Sequence, residues 1–578
     1  MPSIPGQDSF GGRIIHSSEL QDINILVSSM HQDGKILVVG GSMSGAEAAA
    51  SIALHLSSAE CSLATSSATR DEKVSVHHIS SRPFWAVPTY LPTTDGSFLP
   101  LDIVMYDLAR RPPGEVQYFL GPVPPQRSMM VHDYFESMLG TDQSDLGGLA
   151  VNREEDRKRP PWVAVTDSYA EFVRSGDISV HIGRVSAVRG SSSDQLGAVE
   201  VELADGEHSI IDNVAVIVLA TGFRPFNALS FLPKEVLSSL EYSEDDAVFP
   251  IILDEKGTFN GNVPDLGFVG MYRGPYWGVM EMQARSLAQR WDRDSHDANP
   301  INPNENDHVR QLRSVDPRLQ RAQFPMGDYV GLMETFAREL KIPRTSLSHI
   351  GKLHDGERSG PVIPARYATP TGTPETRAEK ETFLTLSSLH NVMSGAQEVR
   401  QLGYAKAIFR ALQGKWRLSR IIRGADGESS SSGVATFYPR YPSDSVHESE
   451  YLYMEAPTAP STENRRALYR FREHLQENNR PGHIGIWTEA ESKSTSTMDL
   501  SHMIHFSSIE RDDGPTDNDT QTTHWLYHAT GVTPWVGHER AVGSPVYKYK
   551  FRIRGVAITS WEVTMSSNSR EARTEYER

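Results

Sequence analysis

The chain has a single cysteine, Cys61, among 578 residues. It can therefore hold no internal disulfide framework, and its thiol chemistry fits a reducing compartment. It lacks any apolar run long enough to span a bilayer, and its first residues lack the basic-then-apolar pattern of a secretory signal. A cytoplasmic location without a membrane partner is the expectation. It also lacks a basic excess: net charge is −17, spread along the chain. That balance argues against nucleic acid or an anionic membrane as the main partner. There is no repeat of fixed period. No serine sits in a nucleophile-elbow context, so the scattered Ser, His and Asp residues do not read as a hydrolase triad. The Tyr-x-x-x-Lys proton donor used by many flavin-independent reductases is missing too, which weighs against that class. The length is too great for one hydrophobic core and points to roughly two to four domains.

What the chain does have is the stretch from Lys35 to Ser57, KILVVGGSMSGAEAAASIALHLS. A short apolar strand runs into Gly40-Gly41-Ser42-Met43-Ser44-Gly45, and an Ala-rich helix follows at once. Strand, tight glycine turn and helix start together form a phosphate cradle. Gly40 permits the turn, the small Ser42 lets backbone approach a pyrophosphate, and Gly45 lets the helix pack on the strand. The free N–H groups and the positive end of the helix dipole would then face the anion. The spacing predicts a dinucleotide site; the plain alternative is an ordinary βα turn of a parallel sheet.

The next strand is expected over residues 74–81, closed by Arg82. An adenosine ribose lies at that strand end in a Rossmann unit, so Arg82 is a candidate for the 2′-phosphate of NADP. No acidic residue stands there to receive a free 2′-hydroxyl, and the alternative is a surface arginine. Residues 100–175 read as helical with proline breaks. From residue 178 the period changes, and 179–188 and 199–203 read as antiparallel strands. Residues 214–223 are an unbroken apolar run, the mark of a strand buried on both faces, ending at Gly222 where a ligand could approach. Another short strand is expected at 265–271, a helix at 279–291, a loop at 292–307, an amphipathic helix at 328–340 and a linker at 345–380. Beyond residue 400, short strand candidates follow one another at all-β spacing. The clearest is 547–554, where Tyr547, Tyr549, Phe551 and Ile553 alternate with lysines and arginines.

Several of these residues converge on a known family. Phe10-x-Gly12-x-x-x-His16-Ser17 resembles the identifying motif of flavin-containing monooxygenases and their Baeyer–Villiger relatives. Gly40-x-Ser42-x-Ser44-Gly45 is similar to the NADPH-phosphate turn of that family. Leu219-Ala-Thr221-Gly222-Phe223 resembles its ATG-type strand end, and Glu281-x-Gln283-Ala284-Arg285 after Phe268-Val-Gly270 resembles the helix closing the flavin side. The resemblance covers roughly residues 1–345. It implies NADPH and FAD as cofactors, a small-molecule substrate, and protein groups that orient the cofactors and exclude water. Gly40, Ser42, Ser44 and Gly45 would hold the pyrophosphate, Gly12 and His16 would fix the linker between nucleotide domains, and Thr221 and Gly222 would sit near the domain crossing. Leu20 stands where an aromatic residue usually follows the motif histidine, which leaves the subclass open. No catalytic residue is assigned.

The family carries a strand and GxGxxG turn for FAD upstream of its first motif. None precedes Phe10 here, so the expectation is a truncated member with weakened FAD binding. The expected fold is an incomplete α/β Rossmann-like two-dinucleotide flavoprotein plus a C-terminal all-β barrel. Residues 1–32 would end the first FAD segment, 33–224 form the NADPH-binding domain and 225–345 the second FAD segment. Residues 346–400 would be a linker and helix, 401–565 a lipocalin-like barrel and 566–578 a disordered tail. Gly414-Lys-Trp416 is similar to the G-x-W near the start of lipocalin barrels, which implies eight strands around one small apolar ligand. His502, His505, His524 and His528 could line a metal or heme pocket there, though scattered polar faces of a barrel explain them as well. The alternative function is a non-catalytic small-ligand-binding protein acting through this barrel. A homo-oligomer stays open.

Overall fold

The apolar run at 214–219 becomes the hub of a six-stranded sheet in the computed structural model, which describes residues 3–20, 23, 34–61, 74–190, 196–203, 206–223, 228–274, 276–292, 303–314, 321–345, 360–368, 377–425, 427–458, 465–473, 482–489, 498–512, 524–532, 545–568 and 570–578. In chain order the strands are β1 (Arg13–His16), β2 (Lys35–Val39), β3 (Ser75–Ser80), β4 (Trp85–Val87), β5 (Tyr90–Pro92), β6 (Phe98–Pro100), β7 (Val163–Val165), β8 (Ile178–Gly190), β9 (Gly197–Leu203) and β10 (His208–Leu219). The large sheet runs β1-β10-β2-β3-β8-β9. It is parallel from β1 to β8. Strand β9 runs antiparallel and pairs with both β8 and β10.

Alternate residues of β2 and β10 go to opposite faces, as a pleated strand requires. Ile36, Val38, Val216 and Val218 join one core with Ala46, Ala49 and Ala53 of the Met43–Glu60 helix. Leu37, Ile217 and Leu219 join a second core with Phe10, Val199 and Val201. The alanines let the helix lie close on the sheet. Phe10 explains the glycine that follows it: a Cβ on Gly12 would stand 2.3 Å from the Ala215 carbonyl oxygen and 2.8 Å from the Phe10 ring. Only a bare Cα fits there.

Residues 100–175, expected as helix with breaks, also carry a strand. The helices Leu101–Met105, Pro125–Leu139 and Tyr169–Ser175 are accompanied there by β7, which pairs with β4 from before the stretch; β5 and β6 pair just ahead of it. The strand expected at 265–271 does not form. That stretch makes an isolated bridge from Phe259 to Gly267 instead, because Leu287 and Trp291 of the Trp277–Asp292 helix pack directly on Gly267. The loop expected to run to residue 307 ends earlier, at the Pro303–Ser314 helix. Residues 346–359 and 369–376 of the expected linker lie outside the described residues. Among the described residues no helix is long and apolar enough to cross a membrane.

The Gln397–Leu412 helix leads into a closed antiparallel barrel. Its strands are β11 (Gly414–Gly424), β12 (Gly427–Arg440), β13 (Ser449–Pro457), β14 (Arg466–Arg472), β15 (His483–Glu489), β16 (Met498–Arg511), β17 (His524–Val532), β18 (Val546–Arg554), β19 (Ala557–Ser566) and β20 (Arg570–Glu577). The all-β barrel after an α/β unit is the fold class expected, with ten strands rather than eight. Two departures make the difference. The strand expected at 547–554 turns at Gly555, at φ 55°, into the hairpin β18–β19. Residues 570–577, expected as a disordered tail, form β20, which pairs with β19 and β11 and closes the barrel.

The interior is filled by aromatic rings. Trp561 stacks on Tyr576 at 3.6 Å between centroids, and Tyr549 on Phe551 at 5.9 Å. Tyr404, Ile408 and Phe409 of the Gln397–Leu412 helix share this core. The helix packs on strands as far apart as β14 and β19, so it covers one mouth of the barrel. Trp416 is fully buried and donates from Nε1 to the Leu412 carbonyl at 2.8 Å. The four histidines do not gather. His502 turns inward to the Tyr549 hydroxyl at 2.6 Å, His505 faces outward, and His528 pairs with Glu510 at 2.9 Å.

Candidate functional site

The carboxyl ends of β1, β10 and β2 lie side by side, and three of the motifs read from the sequence end there. Gly40 leaves β2 at φ 141°, a conformation that favours glycine, and a Cβ would meet the Ala220 carbonyl oxygen at 2.2 Å. On Gly41 a Cβ would lie 1.8 Å from Ser80 Oγ, and on Gly45 it would lie 1.7 Å from the Gly40 oxygen. Three positions thus exclude side chains for three different neighbours. Ser42 caps the Met43–Glu60 helix by position, with no side-chain cap bond. Among the described residues no protein acceptor receives the backbone N–H groups of Gly41, Ser42, Met43 and Ser44. Ser44 is exposed. Unpaired amides at a helix start can receive an anion.

A buried histidine holds the turn from below. His78 on β3 is fully buried; its Nε2 lies 2.8 Å from the Gly40 carbonyl oxygen, and its Nδ1 lies 2.6 Å from the Tyr169 hydroxyl. The carbonyl can only accept, so Nε2 carries the proton and Nδ1 accepts from tyrosine. Burial lowers the His78 pKa to about 4, against the opposing pull of the Gly40 carbonyl. The ring is therefore neutral at physiological pH and fixed in one tautomer.

His16 ends β1 and meets the end of β10. Its Nδ1 accepts from the Ser18 N–H at 3.2 Å, which leaves Nε2 to donate to the Gly222 carbonyl at 3.3 Å. Its ring stands edge-on to Phe223 at 4.8 Å. Glu19 closes the corner by accepting from the His16 N–H at 3.0 Å. Gly222 has φ 90°, and Thr221 and Gly222 are exposed. So His16, Thr221, Gly222 and the Gly40–Gly45 turn share one edge of the sheet, whereas Gly12 stands at the other end of β1, against Ala215. Arg82 does not join them. It is buried at 7% exposure, its guanidinium donates to the Pro160 carbonyl and lies 4.8 Å from the centre of the Trp162 ring. Burial, then Arg159, lowers its pKa to about 10.

Beside the turn is a cavity of about 320 Å³ whose wall includes Met43, Gln323, Arg127 and Asp328. Gln323 joins cavity to turn. Its Nε2 donates to Ser42 Oγ at 2.9 Å and to the Val163 carbonyl at 3.0 Å, while its Oε1 accepts from the Val163 N–H at 2.8 Å. Replacing Gln323 with Leu strands three partners at once. We expect a loss of about 1–2 kcal/mol of stability and several-fold weaker dinucleotide binding, read by urea unfolding and by titration. Unchanged values in both would remove Gln323 from the site.

Sequence reasoning passed over Gln323, Arg127, His78 and Tyr169. The signal for His78 was a polar residue inside a strand that otherwise reads as buried; the others carry no local signal.

No family model and no curated protein matches the chain. It is similar to the solved structure of L-lysine 6-monooxygenase from Pseudomonas syringae, at 14% identity over 46% of this chain and 53% of that one, with a TM-score of 0.23. It is also similar to DfoA bound to FAD, the cadaverine monooxygenase of desferrioxamine biosynthesis from the fire blight pathogen Erwinia amylovora. There the identity is 12% over 48% of this chain and 55% of that one, with a TM-score of 0.26. The chain spans about half the length of these two solved structures.

Proposed function

We propose that this chain is a flavin-monooxygenase-like oxidoreductase that binds NADPH at the Gly40–Gly45 turn and acts on a small organic molecule. One observation carries the reading: four amides without a protein acceptor, from Gly41 to Ser44, lie at the carboxyl edge of a parallel sheet next to a cavity of about 320 Å³. The cradle fits a diphosphate, since its four amide donors have no protein acceptor among the described residues. In this reading the amides of Gly41, Ser42, Met43 and Ser44 bind the pyrophosphate, and Gln323 orients Ser42. His16 holds Gly222 at the mouth of the crevice, and the apolar wall keeps water from the reacting end. NADPH supplies a hydride when bound, and FAD supplies oxygen chemistry. Among the described residues one glycine turn leads from a parallel strand into a helix, and it is assigned to NADPH. FAD enters on the motif resemblance alone, and no step is routed through it. The inward-turned Arg82 leaves the preference for a 2′-phosphate to experiment.

Equilibrium titration of the full chain with NADPH and NADH, read by energy transfer from tryptophan, tests the cradle. Visible flavin absorption and oxygen uptake test the rest. We expect micromolar NADPH binding, and flavin absorption by the protein once FAD is supplied. Absence of binding to either dinucleotide at millimolar concentration would overturn the assignment. Dinucleotide binding without flavin or oxygen uptake would overturn the monooxygenase part.

A further inference from the structure

The cavity beside the glycine turn has an unbalanced charge on its wall. Most of that wall is apolar, with Leu101, Met105, Val131, Phe135, Phe324 and Pro325 contributing. Asp328 is the one carboxylate among the described wall residues, and it is already engaged. Arg111 pairs with it, and it accepts from the Phe119 N–H at 3.1 Å and the Gly331 N–H at 3.2 Å. Arg127 is different. Its guanidinium carbon lies 4.0 Å from the centre of the Phe119 ring, and among the described residues it makes no ion pair and no side-chain hydrogen bond. Two arginines and one carboxylate leave a single uncompensated positive charge at the edge of an apolar chamber. Neighbouring positive charge is felt there: burial and then Arg127 lower the Arg111 pKa.

We infer that this cavity binds a small carboxylate with an apolar body, the carboxylate on Arg127 and the body against the apolar wall. A guanidinium presents two parallel N–H groups that match a planar carboxylate. One free positive charge matches a monoanion better than a phosphate dianion. The volume, about 320 Å³, lies at the small end of the range for small-molecule sites and suits a single ring with a short side chain. Aromatic Phe119 stacked on Arg127 orients the guanidinium and leaves its edge for the ligand. The inference deepens the proposed function, on which it rests for treating the ligand as a substrate; binding itself stands apart from dinucleotide chemistry.

The test is calorimetric titration of the full chain with phenylacetate, its neutral isostere phenylacetamide and the cation phenethylamine. We expect phenylacetate to bind at least about tenfold more tightly than either. Arg127→Gln should abolish that preference and leave phenylacetamide binding unchanged; Arg127→Lys should retain part of it. Circular dichroism of both variants should match the wild type, since Arg127 is exposed. Equal affinity for the three probes, or a carboxylate preference that survives Arg127→Gln, would overturn the inference. Carboxylate binding in a protein that ignores NADPH would sink the proposed function and leave this site standing. NADPH binding without carboxylate preference would do the reverse.

Discussion

Glu171→Gln is expected to unfold in urea at a markedly lower midpoint than the wild type, with a loss of about 3–5 kcal/mol. Glu171 sits on the Tyr169–Ser175 helix of the α/β unit and is fully buried. Three arginines converge on it. Arg174 donates to Oε1 at 2.7 Å, Arg410 of the Gln397–Leu412 helix to Oε1 at 2.6 Å, and Arg578 to Oε2 at 3.1 Å. Arg578 also donates to the Ala411 and Gln413 carbonyls, at 2.7 and 2.9 Å, and covers the Trp416 ring at 4.6 Å. One carboxylate thus ties the α/β unit to the helix at the barrel mouth and to the residue after β20. A neutral amide of the same shape leaves three guanidinium groups around a site with no anion. Removing one partner of a buried ion cluster costs far more than the cluster contributes net, because the remaining charges stay desolvated.

The same group sets an acid limit. Burial pushes the Glu171 carboxyl up, but Arg174, Arg578 and Arg410 outweigh burial and hold its pKa at about 2, below the ordinary 4.5. A depressed carboxylate contributes stability that is whole above 4.5 and is lost as pH falls through about 2. Wild type should therefore lose this contribution over that window, and Glu171→Gln should not. Tryptophan fluorescence reports both, since Trp416 lies under Arg578. Equal urea midpoints at neutral pH would refute the clamp.

Legibility in the sequence followed the range of the contacts. The Gly45–Gly40 and Gly12–Phe10 contacts are local, so the pattern shows on paper, although Gly40 and Gly41 also meet Ala220 and Ser80 on neighbouring strands. The alternation of Tyr549, Phe551 and Ile553 with Lys550 and Arg552 is also local, and those three apolar residues are buried. β20 was hidden by its charge. Its outward positions carry Arg573 and Glu575, which look like tail composition until Arg573 pairs across the strand with Glu562 at 2.6 Å. Only Thr574 and Tyr576 turn inward to be buried. The inward turn of Arg82 depends on Pro160, 78 residues away, and the Ser42–Gln323 bond spans 281 residues. No window of sequence contains either pair. The cavity is legible least of all, because its wall draws on segments from Met43 to Asp328, each unremarkable alone.

Gly45→Ala should weaken NADPH binding at least a hundredfold, while Ser44→Ala, one residue away, should leave it within about twofold. The contrast follows from what each position supplies. Ser44 is exposed, and the reading uses its N–H, which alanine keeps. Gly45 is buried where the helix crosses the turn, and an added methyl would stand 1.7 Å from the Gly40 oxygen, 2.8 Å from the Gly40 carbon and 3.0 Å from His78 Nε2. None of these can yield alone. The Gly40 oxygen accepts from His78, and His78 is held by the Tyr169 hydroxyl. The methyl must therefore push the helix start off the strand, at about 1–3 kcal/mol for an overfilled core. That displacement moves the amides of Met43 and Ser44 away from those of Gly41 and Ser42, so a ligand no longer meets all four. At about 1.4 kcal/mol per factor of ten, losing two charge-assisted hydrogen bonds of roughly 1.5–3 kcal/mol each weakens binding at least a hundredfold. The titration proposed for the wild type measures it directly. Gly45→Ala binding NADPH normally in a folded protein would mean that the dinucleotide, if bound, lies elsewhere.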